Sequence, residues 1–88
     1  MNISLEISMY PLTEGYIEAI DNFLTGLHHI DGIQVQTNPM STQVFGDSAL
    51  VFSAVQKGIE KVYTELDQCP FVIKVLNKDV SGMEIKDY

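Results

Sequence analysis

The chain has 88 residues, 45% of them apolar, with five Lys, no Arg, and twelve Asp and Glu for a formal charge of −7. That length supports one core, and that composition lies well away from disorder. The charge excludes a nucleic-acid binder, which needs clustered cations. The missing guanidinium excludes bidentate recognition of phosphate or carboxylate by arginine.

From the N-terminus, Ile3, Leu5, Ile7 and Met9 alternate with Ser4, Glu6, Ser8 and Tyr10, the period-two signature of a strand with one buried face. Pro11 ends it, having no N–H for a ladder. Thr13 then stands where a helix N-cap belongs, with Glu14 and Glu18 placed to favour the helix dipole. Ile17, Ile20, Leu24 and Leu27 form an amphipathic stripe that Asp31-Gly32 terminates. Ile33, Val35 and Thr37 alternate with Gln34, Gln36 and Asn38 as a second strand. Asn38-Pro39-Met40-Ser41 has turn chemistry. A third strand runs from Thr42 through Phe45 to Gly46-Asp47, and Asp47 caps the helix that follows. Phe52, Val55, Ile59, Val62 and Leu66 recur there at helical spacing, with Gly58 inside at a cost of about 1 kcal/mol that packing must offset. Cys69-Pro70 breaks this helix, and Phe71 to Leu76 is the fourth strand.

The order β-α-β-β-α-β with right-handed crossovers predicts a ferredoxin-like α+β sandwich, a four-stranded antiparallel sheet with both helices on one face. Residues 1–79 make the single domain and 80–88 a C-terminal extension, read either as an edge strand or as a tail. The sheet's other face then carries Ser4, Glu6, Ser8, Tyr10, Gln34, Gln36, Phe45, Val72, Lys74 and Leu76. This mixture is too apolar to stay bare, which predicts self-association through it.

The single Cys69 cannot form an internal disulfide, and the N-terminus lacks a basic start followed by an apolar run. No window has the length of a membrane span. These features predict a cytoplasmic chain with no membrane or nucleic-acid partner. His28-His29 point about 100° apart on a helix and lack a third ligand, so no metal site is predicted; they serve the helix C-terminus instead. Cys69 reads as a small buried apolar group. Glu6, in a central strand, has two readings: a cross-strand ion pair with Lys74, or a ligand-facing carboxylate. No phosphate loop, nucleophile elbow or catalytic carboxylate pair occurs, and neither an enzyme nor a cofactor is predicted. The hairpin around Thr37, Asn38, Ser41, Thr42 and Gln43 sets neutral donors and acceptors beside Met40 and Phe45, a composition suited to a flat heteroaromatic ligand as well as to an ordinary turn.

Three stretches together resemble the YkoF-like thiamine-binding family of small ferredoxin-like proteins. They are Glu6-Ile7-Ser8-Met9-Tyr10-Pro11-Leu12, the hairpin Thr37-Asn38-Pro39-Met40-Ser41-Thr42 running into Gly46-Asp47, and Val72-Ile73-Lys74-Val75. The resemblance implies non-catalytic binding of thiamine or its hydroxymethylpyrimidine moiety, by proteins that assemble as dimers or tetramers through their sheets. Where relatives place a basic pair before the last strand, this chain has Cys69-Pro70-Phe71, a departure that bears on any phosphate contact there. The residues that would line the site are Glu6, Ser8, Tyr10, Thr37, Asn38, Met40, Ser41, Thr42 and Phe45. Glu6 would accept from the pyrimidine amino group, and Tyr10 or Phe45 would meet the thiazolium cation face-on. An acidic chain without arginine favours unphosphorylated thiamine over its diphosphate. Two rivals remain: a ligand-independent assembly or regulatory module using the open sheet face, and an acylphosphatase-type enzyme, which lacks its arginine.

Overall fold

A computed structural model describes residues 1–83. The elements are β1 (Asn2–Met9), α1 (Ile17–His28), β2 (Ile33–Thr37), β3 (Thr42–Asp47), α2 (Ser48–Glu65) and β4 (Phe71–Leu76). The strands form one sheet in the order β2-β3-β1-β4, every neighbouring pair antiparallel. This is the ferredoxin-like α+β arrangement.

The alternation read in β1 fixes the register. Leu5 lies opposite Val44 on one side and Val75 on the other, while Ser4 faces Phe45 and Leu76. A slip of one residue would turn every apolar side chain of β1 to the wrong face. The helices pack on the inner face, where Ile3, Leu5, Ile7 and Val44 meet Phe23, Leu27, Val51, Val55 and Val62. They cover β1, β2 and β3. On β4, at the sheet edge, Ile73 and Val75 remain exposed although their parity is that of the core.

Two details differ from the sequence reading. The first helix starts at Ile17, not beside Thr13, and Tyr16 at its N-cap makes no side-chain cap bond. The reason is long-range: the Tyr10 and Leu12 N–H groups donate to the Pro70 and Gln68 carbonyls, at 2.9 and 3.1 Å. The chain is thereby held extended past the end of β1. Pro11 stands between them, where an N–H would point away from that partner. The Thr13 hydroxyl, freed from capping, is buried without a partner.

The helix faces are the second difference. Ala19, Phe23 and Leu27 are the buried residues of α1, and Ile17 is exposed. In α2 the buried set is Val51, Ala54, Val55 and Val62, with Phe52 outside. Ala19 and Ala54 are buried where the two helices face each other, and a stripe drawn through the largest residues misses them. Gly58 has its packing reason: a Cβ there would lie 2.8 Å from Phe23 Cε1. The Phe23 ring in turn meets Phe71 at 5.5 Å between centroids. Asp47 caps α2 as predicted, its carboxylate accepting from Ala49 N–H at 3.2 Å.

Candidate functional site

Alternation in β1, β3 and β4 sends Ser4, Glu6, Ser8, Gln43, Phe45, Val72, Lys74 and Leu76 to the outer face of the sheet, away from the helices. At its centre the register sets Gln36, Gln43, Glu6 and Lys74 in a row across all four strands. Lys74 Nζ lies 3.3 Å from Glu6 Oε1. The Ser41 hydroxyl donates to Glu6 Oε2 at 3.1 Å, Gln43 Nε2 donates to Ser41 Oγ at 2.7 Å, and Asn38 Nδ2 donates to Gln43 Oε1 at 3.4 Å. Every donor in this chain points toward the Glu6 carboxylate. Such alignment polarises each bond in the same sense.

The Glu6 carboxyl is held below its ordinary range, first by the hydrogen bond from Lys74, then by that from Ser41 and the charge of Lys74. It stays ionised and partly open, with 41% of its side chain exposed. The ion pair with Lys74 is therefore present, and the carboxylate still reaches solvent. Each carboxylate oxygen offers two lone pairs, so an engaged Glu6 retains capacity for another donor.

The hairpin tip is held by Asn38. Its Oδ1 accepts from the Met40 and Ser41 N–H groups at 2.9 and 3.0 Å, and its own N–H donates to the Ser41 carbonyl at 3.0 Å. This turn sets Ser41 over β1. Met40 projects at the tip, 87% exposed.

The nine residues predicted to line one site fall into three groups. Glu6, Ser8, Asn38 and Ser41 lie together around the carboxylate, with Tyr10 exposed at the end of the β1 alternation and Met40 on the rim. Thr37 and Thr42 lie on the helix side: their hydroxyls are 3.3 Å apart, Thr42 is buried, and His28 Nε2 reaches Thr37 Oγ1 at 3.4 Å. The alternation that put Thr37 with Ile33 and Val35 already carried that signal. Phe45 has outer-face parity but is only 5% exposed. Beyond β4 the chain returns across the face at Ser4, the register neighbour of Phe45. Ser4 Oγ donates to the Lys78 carbonyl at 2.6 Å and accepts from Val80 N–H at 3.0 Å. The outer face is thus divided: residues 77–83 strap its Ser4–Phe45 end, and its Glu6–Ser8 end is open. In the strap no edge strand forms; the remainder of the predicted extension, residues 84–88, lies outside the described residues.

Gln43, named in the hairpin but not among the nine site residues, takes part in the row beside Glu6. Its parity with Phe45 and its place opposite Glu6 were the available signal. Two other residues kept their plainer roles. Cys69 is buried, and that burial pushes its thiol up. His29 Nδ1 donates to the Thr25 carbonyl at 2.8 Å in the last turn of α1. Among the described residues no helix is long and apolar enough to cross a membrane.

A strapped ferredoxin-like sheet with a carboxylate-centred polar row on its open end defines a small α+β domain. A comparison with protein families matches residues 2–73 to the YKOF-related Family, and the chain belongs to that family. Among solved structures it is similar to a Streptococcus pneumoniae protein, with a TM-score of 0.82 and 19% identity over 94% of this chain and 93% of that one. A Methanocaldococcus jannaschii protein gives 0.75 and 21% over 89% and 81%. A Thermotoga maritima protein, whose name assigns it provisionally to thiamine biosynthesis or salvage, gives 0.76 and 18% over 97% and 91%. At these identities the likeness concerns the fold. No curated protein matches the chain.

Proposed function

We propose that this protein is a non-enzymatic, cytoplasmic binder of thiamine or its hydroxymethylpyrimidine moiety, working as a self-associated assembly. Membership of the YKOF-related Family and the thiamine-related name of the Thermotoga maritima neighbour support the ligand class. The observation that carries the reading is the Glu6 carboxylate, ionised, partly exposed and fed by an aligned row of neutral donors. The aminopyrimidine presents an exocyclic amino donor beside ring-nitrogen acceptors. Glu6 accepts from the amino group, while the Gln43 and Gln36 amides, which have N–H donors to spare, serve the ring nitrogens and the Ser41 hydroxyl goes on donating to Glu6. Lys74 beside Glu6 repels a cation, so the thiazolium points the other way, toward Ser8 and Tyr10. Tyr10, 53% exposed, is the accessible aromatic for a cation–π contact, since Phe45 is only 5% exposed. The net charge of −7 draws the cation in at long range.

Calorimetry on protein confirmed as ligand-free tests this reading. Saturable thiamine binding at one site per chain, weakened by Glu6→Gln, is expected. No heat with millimolar thiamine and with hydroxymethylpyrimidine refutes it.

A second reading, a ligand-independent assembly module, is favoured by one feature. Val72, Ile73, Val75 and Leu76 are exposed on the edge strand β4, at 59, 38, 50 and 45%. Edge strands with apolar side chains on both faces invite pairing with another chain. Oligomerisation that Val72→Lys abolishes, and that has no response to thiamine, would favour this second reading.

A further inference from the structure

A more enclosed concavity among the described residues lies elsewhere, between the two helices. It is a groove of about 180 Å3. Three features set it apart from an ordinary packing furrow. First, a glycine stands on each wall, Gly26 on α1 and Gly58 on α2. Gly58 makes room for the Phe23 ring, but a Cβ at Gly26 would meet nothing within 4 Å. Glycine weakens a helix even near its end, and neither packing nor a positive φ calls for it at position 26, in the last turn of α1. What its absence of side chain does is keep the groove open. Second, the floor is apolar and close-packed, with Phe23 buried beneath the opening. Third, Lys57 and Lys61 stand one helical turn apart on the α2 rim. Like charges at that spacing repel. In a chain with twelve acidic residues, the ion pairs among the described residues are those of Met1 with Asp47 and of Lys74 with Glu6. Glu65, also on the rim, follows Lys61 by four residues, the less favourable order for a helical pair, and makes no ion pair with it.

We infer that this groove is a second binding site, for a small amphipathic anion: a monocarboxylate carried on a single aromatic ring or a short apolar body. The volume matches that class, since a cavity of about 150 Å3 lined by apolar side chains accepts benzene. The ring lies over Phe23 between Gly26 and Gly58, and the carboxylate lies at the lysine rim, where it relieves their mutual repulsion. The site is on the opposite side of the sheet from Glu6 and does not depend on the thiamine reading.

Benzoate is the probe, with benzylamine as the cationic control of like shape. In amide NMR titrations of the full chain, benzoate should shift the Gly26 and Gly58 resonances saturably, with a midpoint of about 1 mM for a ligand of this size. Benzylamine should leave them in place. The double variant Lys57→Ala/Lys61→Ala should weaken benzoate by about fivefold or more, through loss of charge-assisted bonds. Gly26→Leu should fill the groove and abolish the shifts, while its melting temperature stays at or above that of the parent because Leu is the better helix former. Absence of saturation by about 10 mM on the same midpoint reasoning, equal response to benzylamine, or an undiminished affinity in the lysine double variant each overturns the inference.

Discussion

Adding one methyl group to either of two helical glycines should move stability in opposite directions. Both substitutions gain helix propensity, about 1 kcal/mol in a helix interior and about 0.5 kcal/mol for Gly26 in the last turns of α1. At Gly26 nothing lies within 4 Å of the new Cβ, so the gain stands alone. At Gly58 the new Cβ arrives 2.8 Å from Phe23 Cε1 and 3.0 Å from Cδ1. That ring is buried and backed by Phe71, so it must shift against a packed neighbour. Overpacking of this kind costs about 1–3 kcal/mol, which exceeds the propensity gain. Gly58→Ala should therefore lose about 1 kcal/mol net, and Gly26→Ala should gain about half that. For a domain of this size 1 kcal/mol is about 4–8 °C in melting temperature. Urea titration followed by circular dichroism reads both changes at constant temperature. A Gly58→Ala variant as stable as the parent, or more so, refutes the claim that Phe23 is what the glycine accommodates.

Four further outcomes are expected. Glu6→Gln should weaken thiamine about tenfold in calorimetry, the loss of one charge-assisted hydrogen bond, and should lower thermal stability slightly at neutral pH because the exposed pair with Lys74 is lost with it. Thr42→Val should leave thiamine affinity unchanged, because Thr42 faces the helices; an affinity loss would place the ligand on the other side of the sheet. Ser4→Ala should release the strap, seen as faster hydrogen exchange at the Val80 amide while the amides of β1 remain protected. Acid should also weaken the fold. Glu6 and Asp79 have carboxyls held below their ordinary values, Glu6 chiefly by the Lys74 hydrogen bond and Asp79 by the Ser81 hydroxyl and N–H. A depressed folded-state pKa contributes stability above the ordinary carboxylate value and loses it as pH falls through the folded value. Urea midpoints should thus fall below about pH 4.5, and Glu6→Gln should flatten part of that slope.

What the sequence made legible was the sheet. Strict alternation at Ile3–Tyr10 and Ile33–Asn38 told the two faces apart, and Asp47 announced α2. The start of α1 was not legible, because the competing interaction comes from Gln68 and Pro70, far along the chain. The helix faces were misplaced where Ala19 and Ala54, too small to mark a hydrophobic stripe, do the close packing. At the site, Glu6 and Lys74 were visible as cross-strand neighbours. Thr37 and Thr42 were grouped with them by nearness in sequence, although adjacent strand residues point to opposite faces. The strap left no local trace at all: a serine hydroxyl binding backbone atoms at positions 78 and 80 has no composition or period to betray it.

The strap also bears on the order in which the molecule assembles. Measured along the chain, the bond from Ser4 to Lys78 spans 74 residues, a separation that would make it late and costly to close from the unfolded state. Once β1 and β4 have paired, however, Ser4 lies directly opposite Leu76. The loop still to be closed is then only the turn from Leu76 to Lys78. Docking the strap therefore adds little entropic cost after the sheet exists, and undocking it disturbs no ladder. Residues 77–83 should be the last part of the described chain to settle and the first to leave. Amide exchange at Val80 should therefore be faster than global unfolding allows, while the β1 amides exchange only with the whole sheet.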